Sequence, residues 1–349
     1  MHAFRTLSCA AALFALLAAG TRAAPGAAHR VIFDTDFALP PQDDGLALAL
    51  ALNSPELAIA GITTVAGNFN LARANADVLR MLEIAHHERT PVHAGARRPL
   101  VHVKDDFAAT HHGTWWSDDP PPAPPGGFAK KALESETAVD FMVRTVMANR
   151  GQIEIIALGP LTNVAMAIQK QPAFAPALKR MVIMGGAIAA LPDGAGNITP
   201  NAEFNFWVDP EAARIVLRSG IPIELSALNV SRKTALTKRW YDRLVAVDTP
   251  LTQLIRSRMD QMFVATPNRS LLMFDEVAVA SLIDPTLVKT DRMVVDVDID
   301  HGINYGVSVG GKSPWPGAEG ARTVAVQHDL DWDRFITMFI DRVTKPSSH

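Results

Sequence analysis

Short apolar runs alternate with stretches of helical periodicity along most of the chain. Five apolar runs predict strands, at residues 30–33, 58–65, 153–158, 180–184 and 221–225. Six periodic stretches predict helices, at residues 42–53, 71–86, 137–149, 161–169, 210–219 and 331–343. Two late runs, 293–299 and 305–309, flank His301 and Gly302 and predict a β-hairpin. This alternation is typical of an α/β fold with a mostly parallel sheet and helices on both faces.

One segment interrupts the alternation of strands and helices. Residues 118–127 contain five prolines and two glycines, a composition that excludes both helix and strand. The segment therefore predicts an exposed loop, and it follows two histidines and two tryptophans (His111, His112, Trp115 and Trp116).

The first 23 residues have the features of a secretory signal peptide. Arg5 supplies a positive charge, residues 7–19 are uncharged and largely apolar, and Ala23 ends a short stretch suited to cleavage. The apolar run is short for a membrane span, so we expect no stable membrane insertion after cleavage. Cys9 is the only cysteine and lies inside this run, so a chain cleaved after Ala23 carries no thiol. These features predict a secreted or periplasmic protein with one catalytic domain over residues 24–349.

The composition is that of a globular protein. The 349 residues include 48% hydrophobic residues, which is too many for a chain that is disordered as a whole. Lys and Arg number 33 against 36 Asp and Glu, a formal net charge of -3. This balance argues against a general nucleic-acid-binding protein, which usually carries a basic excess.

Four carboxylates gather where the first predicted strand ends and the first predicted helix begins. They are Asp34, Asp36, Asp43 and Asp44. Ligands of open α/β sheets bind at the carboxyl ends of the strands, and like charges this close are best compensated by a cation. Oxygen ligands without thiols favour Ca²⁺ or Mg²⁺. An alternative is that Asp43 and Asp44 only complement the helix dipole, which leaves Asp34 and Asp36 unexplained.

A second polar stretch follows the predicted strand that ends at Met184. It contains Asn197, Glu203 and Asn205, whose side chains can hydrogen-bond a hydroxyl-rich ligand. Alone this pattern is weak, because polar loops are common.

Several motifs together give the chain a specific resemblance. They are Asp34-Thr-Asp36 with Asp43-Asp44, Gly61 to Asn68 (GITTVAGN), Pro91 to Ala96 (PVHAGA), Gly159 to Asn163 (GPLTN), Met184-Gly-Gly, Gly196 to Asn205, and Asp275 before Val277-Ala-Val-Ala. In this order they resemble the inosine-uridine-preferring nucleoside hydrolase family. The resemblance implies a Rossmann-like nucleoside hydrolase fold and a Ca²⁺-dependent enzyme that hydrolyses the N-glycosidic bond of ribonucleosides. It also implies a possible homo-oligomer.

The resemblance implies roles for particular residues. Asp36, Asp44, Asp275 and the backbone carbonyl of Leu158 would hold Ca²⁺, and Asp36 would be the general base toward a water held by the metal. The substrate would contact the remaining site residues: Asp43, Asn197, Glu203 and Asn205 at the ribose hydroxyls, Asn68 and Met184 beside the reacting carbon, and Phe204 along the pocket wall. The implied transition state resembles an oxocarbenium ion.

Two departures from the family pattern matter. The family usually separates its two aspartate pairs by three residues, whereas six residues, 37–42, lie between Asp36 and Asp43. They either bulge outward and leave the carboxylates in place or reshape the metal site. Many members carry a histidine directly before the late aspartate, where this chain has Phe274. Phe274 cannot protonate the leaving base, so the candidates are His112, Trp115 and Trp116.

Two other functions are compatible with parts of the sequence. Asp-x-Asp after a first strand also occurs in phosphohydrolases, with Asp34 as nucleophile and Asp36 as acid. The altered acidic loop and Phe274 also allow a secreted nucleoside- or sugar-binding protein with impaired catalysis.

Overall fold

The computed structural model describes residues 28–104, 106–112 and 117–346, without the side chains of residues 109, 111 and 112. The predicted signal peptide lies outside these residues and stays a prediction. The strands are β1 His29–Thr35, β2 Leu57–Thr64, β3 Val92–Ala94, β4 Ile153–Ala157, β5 Arg180–Met184, β6 Ile223–Ser226, β7 Leu236–Thr237, β8 Ser270–Leu271, β9 Val288–Val297, β10 Ser308–Gly311 and β11 Arg322–Leu330.

The helices lie between and after these strands. They are α1 Asp43–Leu52, α2 Leu71–Ile84, α3 Asp106–His112, α4 Ala138–Ala148, α5 Thr162–Lys170, α6 Phe174–Ala177, α7 Phe204–Val208, α8 Pro210–Arg218, α9 Leu228–Ser231, α10 Lys238–Leu244, α11 Pro250–Ala265, α12 Asp275–Ile283 and α13 Trp332–Val343. A short 3₁₀ turn, Pro285–Leu287, precedes β9.

The main sheet has nine strands in the order β10-β9-β11-β6-β5-β4-β1-β2-β3. The strands from β3 to β11 pair in parallel, and β9 and β10 extend that edge with antiparallel pairing. The predicted α/β class and the late hairpin are therefore confirmed. The strand order β3-β2-β1-β4-β5-β6 reverses direction at β1, which is the Rossmann arrangement.

Two hydrophobic clusters cover the two faces of this sheet. Val31 and Phe33 of β1 pack with residues of α1, α2, α12 and α13 on one face. Ile32 points the other way, toward α4, α5 and α8. Successive side chains of a strand point to opposite faces, so a run such as 31–33 stays apolar only when both faces are covered.

Several elements were not predicted, and the longest of them are β11, α11 and α12. The residues of α12 are almost all buried, as are those of α1 from Asp44 to Ala51, so α12 has no polar face to produce a helical period. The two buried helices pack side by side and both begin at the carboxyl edge of the sheet. Within the described part of the chain, no helix combines the length and apolar character needed to cross a membrane.

The residues between Asp36 and Asp43 turn into the core. Phe37, Ala38 and Leu39 are 0–3% exposed and pack beside α1. The Arg258 Nε atom of α11 donates a hydrogen bond to the carbonyl of Pro40 at 2.9 Å. We name residues 37–42 the inner loop, because its first residues are buried instead of bulging outward.

The proline-rich segment has no helix or strand between residues 117 and 130, as predicted. Arg97 and Arg98 form ion pairs with Asp118 at its start, and Arg80 Nε donates to the carbonyl of Pro125 at 2.9 Å. The segment thus lies along the ends of β3 and α2.

Candidate active site

A cleft of about 250 Å³ opens at the carboxyl edge of the sheet, where β1, β4 and β5 end. Asp36 follows β1, Leu158 follows β4 and Met184 ends β5, and all three line the cleft. The reversal of strand order at β1 separates the loops above β1 and β4, and this is the usual ligand position in such sheets.

Asp36 is buried at the floor of this cleft. Its Oδ2 atom accepts a hydrogen bond from the Asn68 amide at 2.6 Å. Gly67 and Gly159 leave room for the carboxylate: a Cβ on Gly67 would overlap it, and one on Gly159 would lie 2.7 Å from Oδ1. Burial, followed by the charges of Asp43 and Glu203, raises the pKa of Asp36 to about 7 against the opposing hydrogen bond from Asn68.

Three further carboxylates form a compact group beside Asp36. Asp43, Asp44 and Asp275 each offer an oxygen within 4.8 Å of the others' oxygens. Asp44 accepts hydrogen bonds from the Thr35 hydroxyl and from Asn68 Nδ2, the latter at 2.8 Å. Burial and mutual repulsion raise the pKa of Asp44 and of Asp275 well above the ordinary value.

This carboxylate trio fits a hard divalent cation. In the described residues, the trio forms no ion pair with lysine or arginine, and the neighbouring charges that act on Asp275 are all acidic. A cation bound by carboxylate oxygens would remove the repulsion, and an oxygen donor set suits Ca²⁺ or Mg²⁺. Glu276, directly after Asp275, adds a fully buried carboxyl whose oxygens have no hydrogen-bond partner in the described part.

The sequence analysis expected Asp36, Asp44 and Asp275 as carboxylate ligands, whereas the trio in the structure contains Asp43 in place of Asp36. Asp36 lines the same cleft but is not part of this closest group, so its role as a metal ligand stays a prediction. The expected backbone ligand, the Leu158 carbonyl, accepts a hydrogen bond from Asn205 Nδ2 at 2.8 Å and also faces the site.

The residues expected at the sugar lie together on the opposite wall of the cleft: Asn197, Glu203, Phe204 and Asn205. Glu203 caps α7, and its carboxylate accepts from the amides of Asn205 at 2.8 Å, Gly186 at 2.9 Å and Phe206 at 3.1 Å. Burial raises the pKa of Glu203 to about 7. The amide nitrogen of Asn205 is used by Leu158, which leaves its Oδ1 atom for a substrate hydroxyl.

Asp34 lies apart from the cleft lining. Its Oδ1 atom accepts hydrogen bonds from Thr63 Oγ1 at 2.6 Å and from Asn163 Nδ2 at 2.8 Å. The side chain is fully buried, with burial raising its pKa to about 6. These contacts join β1, β2 and α5, so Asp34 is poorly placed to act as the nucleophile of a phosphohydrolase.

The leaving-group candidates are only partly described. His112 is the last residue of α3, and Trp115 and Trp116 lie outside the described residues, as does the His112 side chain. Helix α3 packs on α7, which also carries the cleft residues Phe204 and Asn205: the Phe107 ring meets that of Trp207 in α7 at 5.7 Å between centroids. Phe274 lines the cleft.

Sequence analysis missed two cleft residues, Gln42 and Ile198. Gln42 directly precedes Asp43, and that adjacency was the available signal. This adjacency alone could not show whether the Gln42 side chain points into the cleft or away from it, because that depends on the path of the inner loop.

Comparison with known proteins agrees with the fold and gives the family. The family model of the inosine-uridine preferring nucleoside hydrolases matches residues 31–337. The pyrimidine-specific ribonucleoside hydrolase RihB of Escherichia coli O17:K52:H18 is 34% identical over 311 residues, 87% of this chain and 94% of that protein. The chain belongs to the nucleoside hydrolase family, whose metal-dependent enzymes cleave the N-glycosidic bond of ribonucleosides.

Solved structures of related enzymes share the fold. The plant nucleoside hydrolase PpNRh1 is 29% identical, with a TM-score of 0.77 over 91% of this chain and 99% of that one. The purine-preferring ribonucleoside hydrolase from Gardnerella vaginalis is 26% identical, with a TM-score of 0.72 over 90% and 98% of the two chains. These relatives differ in the bases that their names give, so the comparisons leave the base preference of this chain open.

Proposed function

We propose that this protein hydrolyses ribonucleosides to free base and ribose with one bound Ca²⁺, and that Asp36 is its general base. The observation that carries the proposal is the carboxylate trio of Asp43, Asp44 and Asp275 beside Asp36, which shares the cleft with polar side chains suited to a sugar. Ca²⁺ would be held by Asp36, Asp44, Asp275 and the Leu158 carbonyl. When bound, it supplies positive charge that lowers the pKa of water and offsets the carboxylate repulsion.

Asp36 takes the proton of the attacking water. A general base must lie within hydrogen-bond reach of the proton that it abstracts, and it works best when its position is fixed. The Asn68 amide and the two flanking glycines fix Asp36 in this way.

The opposite wall holds the ribose. Asp43, Asn197, Glu203 and Asn205 hydrogen-bond its hydroxyls, Asn68 and Met184 lie beside the anomeric carbon, and Phe204 packs on the sugar. Because backbone amides fix Glu203, its carboxylate keeps its place as positive charge develops on the sugar.

We propose His112 as the acid that protonates the departing base. Helix α3, which ends at His112, contacts α7 through Phe107 and Trp207, α7 begins with the cleft residue Phe204, and Phe274 has no proton to donate. Replacing His112 by Ala should slow natural nucleosides by about 100-fold, and p-nitrophenyl riboside much less, because p-nitrophenolate leaves unprotonated. Equal losses on both substrates would contradict this role.

A substrate panel tests the proposed activity. Purified protein is incubated with inosine, uridine, adenosine and cytidine, and reducing sugar is measured after metal removal and after Ca²⁺ addition. We expect ribose release that is lost on metal removal and restored by Ca²⁺. Tight nucleoside binding without release of sugar would instead support the impaired binding protein, and p-nitrophenyl phosphate cleavage the phosphohydrolase.

We also propose that residues 1–23 direct export to the periplasm or the medium. The support is the charge and apolar pattern of the segment. A reporter fused after residue 30 should appear outside the cytoplasm, and deletion of residues 2–23 should retain it inside. Equal retention of both fusions would contradict export.

A further inference from the structure

Gln42 and Phe274 hold matching positions in the cleft. Gln42 is the N-cap residue of α1 and precedes Asp43, and Phe274 is the N-cap residue of α12 and precedes Asp275. Neither side chain caps its helix, and both line the cleft. Because Asp43 and Asp275 belong to one trio, the two preceding residues flank the same carboxylates.

The inner loop fixes the position of Gln42. Its buried residues pack in the core, the Pro40 carbonyl is held by Arg258, and a Cβ on Gly45 would lie 2.5 Å from the Pro40 ring. The backbone amide of Gln42 donates to the Leu39 carbonyl at 3.3 Å. The side-chain amide has no hydrogen-bond partner in the described part of the chain, so it is free for a ligand.

The cleft offers few neutral donors for a nucleobase. The carboxylates only accept when ionised, and Phe274 has no polar atom. The side-chain amides of Asn68 and Asn205 already donate to Asp44 and to the Leu158 carbonyl. Asn197 lies on the sugar wall, where its Oδ1 atom accepts from the Phe204 amide.

We propose that Gln42 is the residue that recognises the nucleobase, donating an amide hydrogen bond to a carbonyl or ring-nitrogen acceptor of the base while Phe274 packs on its ring. This inference rests on the proposed function. In this proposal, the inner loop supplies a hydrogen bond from a neutral amide and transfers no proton to the base. The base then lies beside the carboxylate trio.

The test replaces Gln42 by Met, which keeps the length of the side chain and removes the donor. We expect kcat/KM for uridine or inosine to fall about 10-fold more than kcat/KM for p-nitrophenyl riboside, whose leaving group lacks the heterocyclic acceptors. Gln42→Glu should lose more, because a carboxylate repels the electron-rich departing base. Gln169→Met, at an exposed position of α5, is the matched control.

Two further readouts separate Gln42 from a structural or acid role. The Ca²⁺ affinity of Gln42→Met should stay near that of the wild type, and its kcat–pH profile should keep its shape. The Kd for nucleoside binding after metal removal should rise about 10-fold. Equal losses on both substrates, or an unchanged nucleoside Kd, would overturn the role of Gln42. If the wild type released no ribose from any nucleoside, the proposed function would fail, and the nucleoside Kd would still decide whether Gln42 contacts the base.

Discussion

The Asp36 carboxylate fits into its site because two residues beside it, Gly67 and Gly159, have no side chain. Gly67 and Gly159 approach it so closely that any side chain at either position would push against it. Glycine is used here for close approach, since neither residue has a positive φ. The position of Asp36 relative to the trio therefore depends on two glycines, which have no side chain that could take part in the reaction.

Replacing Gly67 by Ala should displace Asp36 and lower kcat by about 100-fold, because misplacing a catalytic group by about 1 Å has effects of that size. The measurement is steady-state hydrolysis of inosine at saturating Ca²⁺. Gly302→Ala is the control, because a Cβ there meets no atom within 4 Å. Wild-type kcat in Gly67→Ala would mean that Asp36 moves freely or takes no part.

Asp275 is the member of the trio that comes from α12. Its replacement by Asn should weaken Ca²⁺ binding about 10-fold or more, because one of the three proposed carboxylate ligands loses its charge. Isothermal titration with Ca²⁺ measures the effect, and Asp333→Asn on the exposed side of α13 serves as control. Unchanged stoichiometry and affinity would exclude Asp275 as a ligand.

At the residue scale, spacing and family motifs identified the acidic residues but not their partners. Asp36, Asp43, Asp44 and Asp275 could be named because carboxylates at strand and helix ends leave a pattern in the sequence. Gln42 could not, because its side chain faces the cleft only as a result of how the inner loop packs.

At the scale of elements, the inner loop shows how six residues fit between the two aspartate pairs without separating the carboxylates. Phe37 to Leu39 fill space in the core, so the added length is absorbed beneath α1. Burial raises the pKa of Asp77 in α2, the Leu39 amide and the positive charge of Arg258 oppose this rise, and Arg258 Nε also donates a hydrogen bond to the Pro40 carbonyl. Helices α2 and α11 therefore both anchor the loop.

Replacing Arg258 by Met removes the donor to Pro40 and keeps the aliphatic stem. We expect the free energy of unfolding to fall by about 1 kcal/mol and Ca²⁺ binding to weaken, because the loop leads into the first turn of α1, which carries the proposed ligand Asp44. Urea unfolding and calcium titration measure the two effects. Arg239→Met, over the Trp240 ring in α10, is the control for loss of a surface arginine. Loss of stability with unchanged Ca²⁺ affinity would show that the loop and the metal site are independent.

Two of the longer elements that escaped prediction, α12 and β11, share a physical cause. Helix α12 is buried on all sides, and the exposed and buried positions of β11 do not alternate regularly. A hydrophobic period arises when one face of an element is buried and the other is exposed, so an element whose two faces are equally buried gives no such period. Amphipathic helices such as α8 and α13, which have one buried face, were predicted within one or two residues.

At the scale of the whole molecule, the alternation of elements predicts a parallel sheet but not its order. The order β3-β2-β1-β4-β5-β6 brings together strand ends that are more than a hundred residues apart, such as those of β1 and β4. Pairing over such separations depends on which helices cover which face, and only the family resemblance anticipated it. The cleft lies at β1 because the strand order reverses there, which separates the loops that follow β1 and β4.

Asp209 links distant parts of this architecture without a cationic partner among the described residues. Its carboxylate accepts hydrogen bonds from the Leu100 amide at 2.9 Å, from Thr162 Oγ1 at 2.6 Å and from the Ala212 amide at 3.1 Å. It thereby joins the segment after β3 to α5 and α8. Burial outweighs these hydrogen bonds and raises the pKa of Asp209 to about 6.

The raised pKa predicts a stability that increases as pH falls. Between about pH 4 and pH 6, the folded protein holds a proton on Asp209 that the unfolded chain has released, so lowering the pH favours the folded state. From pH 7.5 to pH 5, this group should add about 1 kcal/mol to the free energy of unfolding. Asp209→Asn should lose stability at both pH values, because one acceptor is lost, and should also lose this part of the pH dependence. Urea unfolding of both proteins, each at pH 7.5 and pH 5 without metal, measures the difference, and the other buried carboxyls cancel because they are common to both. Equal pH dependence in the two proteins would mean that Asp209 is ionised throughout this range, with its three donors outweighing its burial.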